Sequence, residues 1–136
     1  MKTYTLIICF FAAAQLESFA QSSPLADTLQ FTGKLMYVPD SIGVPKHSSF
    51  IFYGDQLITW SQKNGELIDS FVIRSTDGVW PDVNENGTLI YQVQSGKWQG
   101  EIRAVRVNKD ARVIIDLKNH NGVIKQEYDI QKIDNL

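Results

Sequence analysis

The chain has 136 residues, 43% hydrophobic and 21% charged, with 13 basic against 15 acidic side chains and one cysteine. A formal charge of −2 with no run of Lys or Arg lacks the footprint by which nucleic acid or an anionic membrane surface is held. A single cysteine excludes an intramolecular disulfide.

Residues 1–20 have the layout of a secretory signal peptide. Lys2 supplies the positive start, Leu6 to Ala14 the short apolar run, and Ser18-Phe19-Ala20 a small-x-small cleavage site. That run falls well short of the roughly 20 residues needed to cross a bilayer, so no membrane span is expected after cleavage. Cleavage after Ala20 also removes Cys9. A secreted or periplasmic protein is predicted, held together by its core and without a thiol nucleophile or thiolate metal ligand. Residues 21–28 (QSSPLADT) are small and polar and read as a flexible tail. Residues 29–136 read as one domain.

From Leu29 onward, short apolar or alternating runs are broken by turn dipeptides: Gly54-Asp55, Asn64-Gly65, Asp77-Gly78, Asn86-Gly87, Ser95-Gly96, Lys109-Asp110 and Asn121-Gly122. They recur about every dozen residues, the interval at which each strand turns directly into the next, and they predict eight strands. The runs themselves have a period of two. Leu89, Tyr91 and Val93 oppose Thr88, Gln92 and Gln94; Ala111, Val113, Ile115 and Leu117 oppose Arg112 and Asp116; Ile124, Tyr128 and Ile130 oppose Lys125, Glu127 and Asp129. Between Trp98 and Val107 the apolar register changes from Ile102 and Ala104 to Val105 and Val107, which predicts a bulge near Ala104. An all-β antiparallel meander of about eight strands is therefore expected. It removes its exposed edges by closing into a small barrel; a β-sandwich is the alternative.

The stretch Asp82 to Gly87 (DVNENG) opens like a calcium loop, with oxygen side chains at alternate positions and glycine at the sixth. The twelfth position is Val93 where a bidentate glutamate belongs, and an alternating strand follows instead of a helix. A turn whose side chains bond their own backbone is the expectation, and no metal is assigned.

The order of elements resembles the small secreted lipocalin-like domains of bacteria. The resemblance is carried by Gly33-Lys34-Leu35 in the first strand, the aromatic hairpin SSFIFYGDQLITW and the closing GTLIYQVQSGKWQGEIRAVRVNKDARVIIDL, and it covers roughly residues 29 to 133. Leu35 stands where the Gly-x-Trp signature of lipocalins has its tryptophan. The resemblance implies a calycin-type barrel that holds a small apolar ligand.

No nucleophile elbow, phosphate-cradling loop, dinucleotide fingerprint or metal-ligand spacing occurs, so no catalytic residue or cofactor is assigned. His47 and His120 read as solvent-exposed. The expected function is a non-enzymatic binding module. Its candidate ligand residues are the inward-reading rings Phe31, Phe52, Phe71, Tyr91, Trp98 and Tyr128, which otherwise fill the interior. Trp80, beside Pro81, is read as covering the barrel's end or as a stacking platform for a sugar. In the second to fourth strands both registers are apolar. With Phe50, Phe52, Leu57, Leu67 and Phe71 inside, the residues Ile51, Tyr53, Ile58, Trp60, Ile68 and Val72 face outward. That face is the alternative site, for a protein partner or a second copy in a homodimer.

Overall fold

The computed structural model describes residues 28–37 and 43–136; the signal-peptide assignment and nearly all of the proposed tail lie outside them. Eight strands follow one another: β1 (Thr28–Tyr37), β2 (Val44–Tyr53), β3 (Leu57–Gln62), β4 (Leu67–Val79), β5 (Gly87–Ser95), β6 (Trp98–Val107), β7 (Asp110–Asn119) and β8 (Gly122–Asn135). Each pairs antiparallel with its neighbour in sequence, and β1 pairs with β8 to close the barrel. Following cross-strand partners from Thr28 leads through Tyr53, Leu57, Val72, Gln94, Gln99 and Lys118 to Val123. Yet across the β1–β8 seam the residue bonded to Thr28 is Leu136, one past the end of β8, whose N–H donates to the Thr28 carbonyl at 2.8 Å. The separation of Val123 from Leu136 along the chain is the stagger that tilts the strands of a closed barrel.

The meander and its closure match the expectation, but the turns differ. Asp77-Gly78 lies inside β4, and the chain ahead of Gly54 forms two strands rather than one, so the count of eight stands. Gly78 has φ +96°, and a Cβ there would stand 2.2 Å from the Thr88 carbonyl oxygen. Glycine serves a close approach of β4 to β5 at that position. The bulge expected near Ala104 is absent, since β6 keeps register with both neighbours. Val105 is half-buried and Val107 is exposed, so these valines are outward residues of an unbroken strand. Register shifts occur instead at Gly33 in β1 and between Ile73 and Ser75 in β4, where an extra residue bends the strand.

The β2–β3 connection also differs from the expectation. A two-residue reversal at Gly54-Asp55 would set Leu57 opposite Phe52. The connection has three residues, Gly54 to Gln56, closed by the Gln56 N–H donating to the Tyr53 carbonyl at 3.2 Å, with Gly54 at φ +59°. Phe52 is therefore opposite Ile58, and Phe50 opposite Trp60. One residue of slip exchanges the faces of a strand: Ile58 and Trp60 are core residues, 0% and 4% exposed, and Leu57 faces out.

Rings fill the interior. Toward the end where β1 begins, Phe31 lies 4.9 Å from Phe52 and 5.8 Å from Trp80, and Phe52 lies 5.3 Å from Tyr91, between centroids. Toward the other end, Phe50, Trp60 and Tyr128 lie within 5.2 to 5.9 Å of one another. Ile102, Val113, Ile115 and Leu117, each at most 1% exposed, complete the core from the opposite wall. The outside of β5–β8 is charged while the inside is apolar, the reverse of a membrane-spanning barrel.

Candidate functional site

Five of the six residues expected to hold an interior ligand, Phe31, Phe52, Phe71, Tyr91 and Tyr128, are at most 3% exposed. Trp98 is half-buried where β6 begins. Four of the buried five are one another's or a core tryptophan's ring neighbours at the distances given above. Burial raises the pKa of the Tyr91 phenol, with Asp55 adding to the rise, and burial raises that of Tyr128 against the opposing effect of the Ser48 hydroxyl. The Tyr128 hydroxyl is already engaged, donating to Gln126 Oε1 at 2.8 Å.

Trp80 is fully buried, its ring edge-on to Phe31 and its Nε1–H donating to the Glu85 carbonyl at 2.9 Å. It covers the end of the barrel and offers no surface platform. The loop after it uses its own oxygens. Asp82 Oδ1 accepts the Asn84 N–H at 2.8 Å, the Asp82 carbonyl accepts the Glu85 N–H at 2.9 Å, and Asn86 Oδ1 accepts the Asn108 N–H at 2.7 Å. These are turn and loop-bridging bonds, in which side chains replace missing backbone partners. Among the described residues no three His, Cys, Asp or Glu side chains stand close enough to hold a metal ion.

The open space lies outside. Across β1–β4 the outward residues form three cross-strand rows: Thr28–Tyr53–Leu57–Val72, Gln30–Ile51–Thr59–Ser70 and Thr32–Ser49–Ser61–Ile68. None carries a charge. Across β5–β8 the corresponding rows, such as Gln92–Glu101–Asp116–Lys125 and Ile90–Arg103–Ile114–Glu127, are studded with charge. Ion pairs join Arg103 to Glu101 at 3.1 Å and Arg112 to Glu127 at 2.6 Å. The barrel thus has one neutral and one charged flank.

A groove of about 530 Å³ runs over the neutral flank, within the roughly 300–1,000 Å³ of small-molecule sites. Ile51, Tyr53 and Ile68 give it apolar surface, Thr32, Ser49, Thr59 and Ser61 give hydroxyls, Gln30 gives an amide, and His47 also lines it. Gln30 Nε2 donates to Ser49 Oγ at 2.8 Å, which fixes the amide on the floor. Tyr53 is 42% exposed and Ile68 63%. Of the residues expected on an outward binding face, Ile51, Tyr53, Ile68 and Val72 lie on this flank, while Ile58 and Trp60 belong to the core. The hydroxyl residues and Gln30 are not among the residues expected from the sequence, because short polar side chains in an outward register have the spelling of ordinary solvated surface. Their signal is the absence of charge from Thr28, Gln30, Thr32, Ser49, Ile51, Tyr53, Leu57, Thr59 and Ser61, the outward register of β1–β3.

No family model, no curated protein and no solved structure matches this chain. Its class is therefore defined by its architecture, an eight-stranded antiparallel meander barrel with a filled interior.

Proposed function

We propose that this protein is a secreted, non-enzymatic binding module of lipocalin-like layout that holds a neutral saccharide in the groove outside β1–β4. The observation that carries the reading is that groove, which is lined by no acidic, lysine or arginine side chain, is rich in hydroxyl groups, and is edged by the exposed ring of Tyr53. A sugar ring presents an apolar C–H face and a rim of hydroxyls that both donate and accept. Tyr53 and Ile51 suit the first, and Gln30, Thr32, Ser49, Thr59 and Ser61 the second. An acidic or basic ligand finds no counter-charge in the three rows.

The other two occupants fit less well. An apolar ligand inside the barrel has to displace ring contacts of 4.9 to 5.9 Å, at the cost attached to disturbing a packed core. A protein interface is ordinarily depleted in serine at its centre, where this groove has Ser49 and Ser61. Exposed Ile68 and Val72 at the margin favour a second reading, in which two copies of the chain meet on this flank.

Isothermal titration of the mature protein with neutral gluco-, xylo-, manno- and N-acetylglucosamine oligosaccharides tests the proposal. Binding by one of them, weakened about tenfold by Tyr53→Ala, a loss of roughly 1.4 kcal/mol, is expected. Silence across the panel, together with a dimer in light scattering that Ile68→Glu dissociates, selects the second reading and rejects the first.

A further inference from the structure

The charged flank holds a feature that no run of basic residues announces. Two adjoining cavities of about 570 and 260 Å³ share Gln94, Gln99 and Lys118. Gln94 pairs across strands with Gln99, and Gln99 with Lys118. Arg74, from the bulge in β4, reaches the same row and donates from Nη2 and Nε to Gln94 Oε1 at 2.7 and 3.1 Å. Lys97 and His120, from the β5–β6 and β7–β8 turns, line the larger cavity. Three permanent cations and one imidazole therefore face a common trough, and no carboxylate lines either part of it.

The nearest acids lie in the next row. Glu101 there is taken by Arg103, accepting from Nη2 at 3.1 Å, and Asp116 has Lys125 as its cross-strand neighbour in register. None of the ion pairs among the described residues uses Arg74, Lys97 or Lys118. Arg74 is also oriented in advance, because Gln94 Oε1 accepts from one edge of its guanidinium. Gln94 in turn keeps its amide N–H groups as donors. A carboxylate-free trough on a chain of net charge −2 is charge complementarity for an anion, independent of the neutral groove.

We infer that this trough binds an oxyanion, the carboxylate, sulfate or phosphate group of a small ligand, through Arg74, Lys118 and the Gln94 and Gln99 amides, with Lys97 and His120 at its rim. Guanidinium and amide donors in one row match the several acceptor oxygens of such a group. Because the cations are solvent-exposed, their attraction is screened by salt.

The test is a titration of isotope-labelled mature protein with sodium tripolyphosphate, sulfate and citrate, each at low and at physiological ionic strength, followed by amide chemical shifts. The expected result is saturable movement at Gln94, Gln99 and Lys118, weaker at the higher salt, with the order of the three anions identifying the favoured group. Arg74→Gln and Lys118→Gln should each weaken binding about fivefold or more with unchanged melting temperature, while Lys109→Gln, in a turn at the opposite end of the barrel, should leave it intact. Shifts that fail to saturate, or an equal loss in Lys109→Gln, would mean diffuse attraction to surface charge and overturn the inference.

Discussion

Trp60 lies against Phe50 inside the barrel, the rings 15° from parallel with centroids 5.8 Å apart, and its Nε1–H donates to the Ser48 hydroxyl at 3.3 Å. Ser48 is itself buried, 4% exposed. The pair joins an apolar contact to a polar one in a place that water does not reach. Trp60→Ala should therefore cost about 3–5 kcal/mol, the range for emptying a large aromatic site. Ser48→Ala should cost about 1–3 kcal/mol, because the indole N–H loses its partner. Urea unfolding of the two variants checks both values; a Trp60→Ala loss below about 1 kcal/mol would mean that the indole is not core.

Gly78 is the second sensitive position. Its φ of +96° disfavours any side chain, and the Cβ of alanine would stand 2.2 Å from the Thr88 carbonyl oxygen, which belongs to the paired strand and cannot step aside. Gly78→Ala should destabilise the barrel by at least about 1–3 kcal/mol, the usual cost of such backbone strain. Gly122→Ala, with nothing within 4 Å of the added methyl, should stay within about 1 kcal/mol of wild type. Thermal melts of the two variants side by side decide it.

Alkaline pH should weaken the fold. Burial holds the Tyr91 and Tyr128 phenols neutral above the ordinary tyrosine value of 10.0. Both folded values are raised, so the stability linked to them is fully present below the unfolded value and is lost as pH rises toward the folded one. Above about pH 10 the melting temperature should fall, and Tyr91→Phe should flatten that fall. Tyrosinate absorbance should show both rings silent until the protein unfolds. Ionisation of Tyr91 in the native protein at the ordinary value would contradict its burial.

The Asp82 loop should behave as a turn. Asp82→Ala removes one backbone-accepting carboxylate and should cost about 0.5–1.5 kcal/mol. Millimolar calcium should move the wild-type melting temperature by less than about 1 °C, since a cation that binds weakly adds almost no stability. A large upward shift that disappears in Asp82→Ala would make the loop a metal site.

Much of the fold is legible in the sequence because a period of two is a local signal. The burial of Ala111, Val113, Ile115 and Leu117, and of Leu89, Tyr91 and Val93, follows from alternation alone. Turn length is harder to read. Gly54-Asp55 is spelled like a two-residue reversal, and the single added residue, Gln56, decided whether Trp60 was surface or core. Asp77-Gly78 has the spelling of a turn as well, yet that glycine answers to a neighbouring strand rather than to its own. The two candidate sites were the least legible. Gln30, Ser49 and Ser61 come from three strands, and Arg74, Lys97 and the Lys118–His120 stretch from three parts of the chain, so it is the register between neighbouring strands that brings either set together.

The central claim, that the ligand sits outside a filled barrel, is tested most directly by mapping amide and methyl chemical shifts while the mature protein is titrated with the panel of neutral oligosaccharides. Movement confined to Gln30, Ser49, Ile51, Tyr53, Thr59 and Ser61, with the interior around Phe31, Phe71 and Val113 unchanged, is the predicted result. A binding response centred on those interior residues, or no response in the groove to any member of the panel, would contradict it.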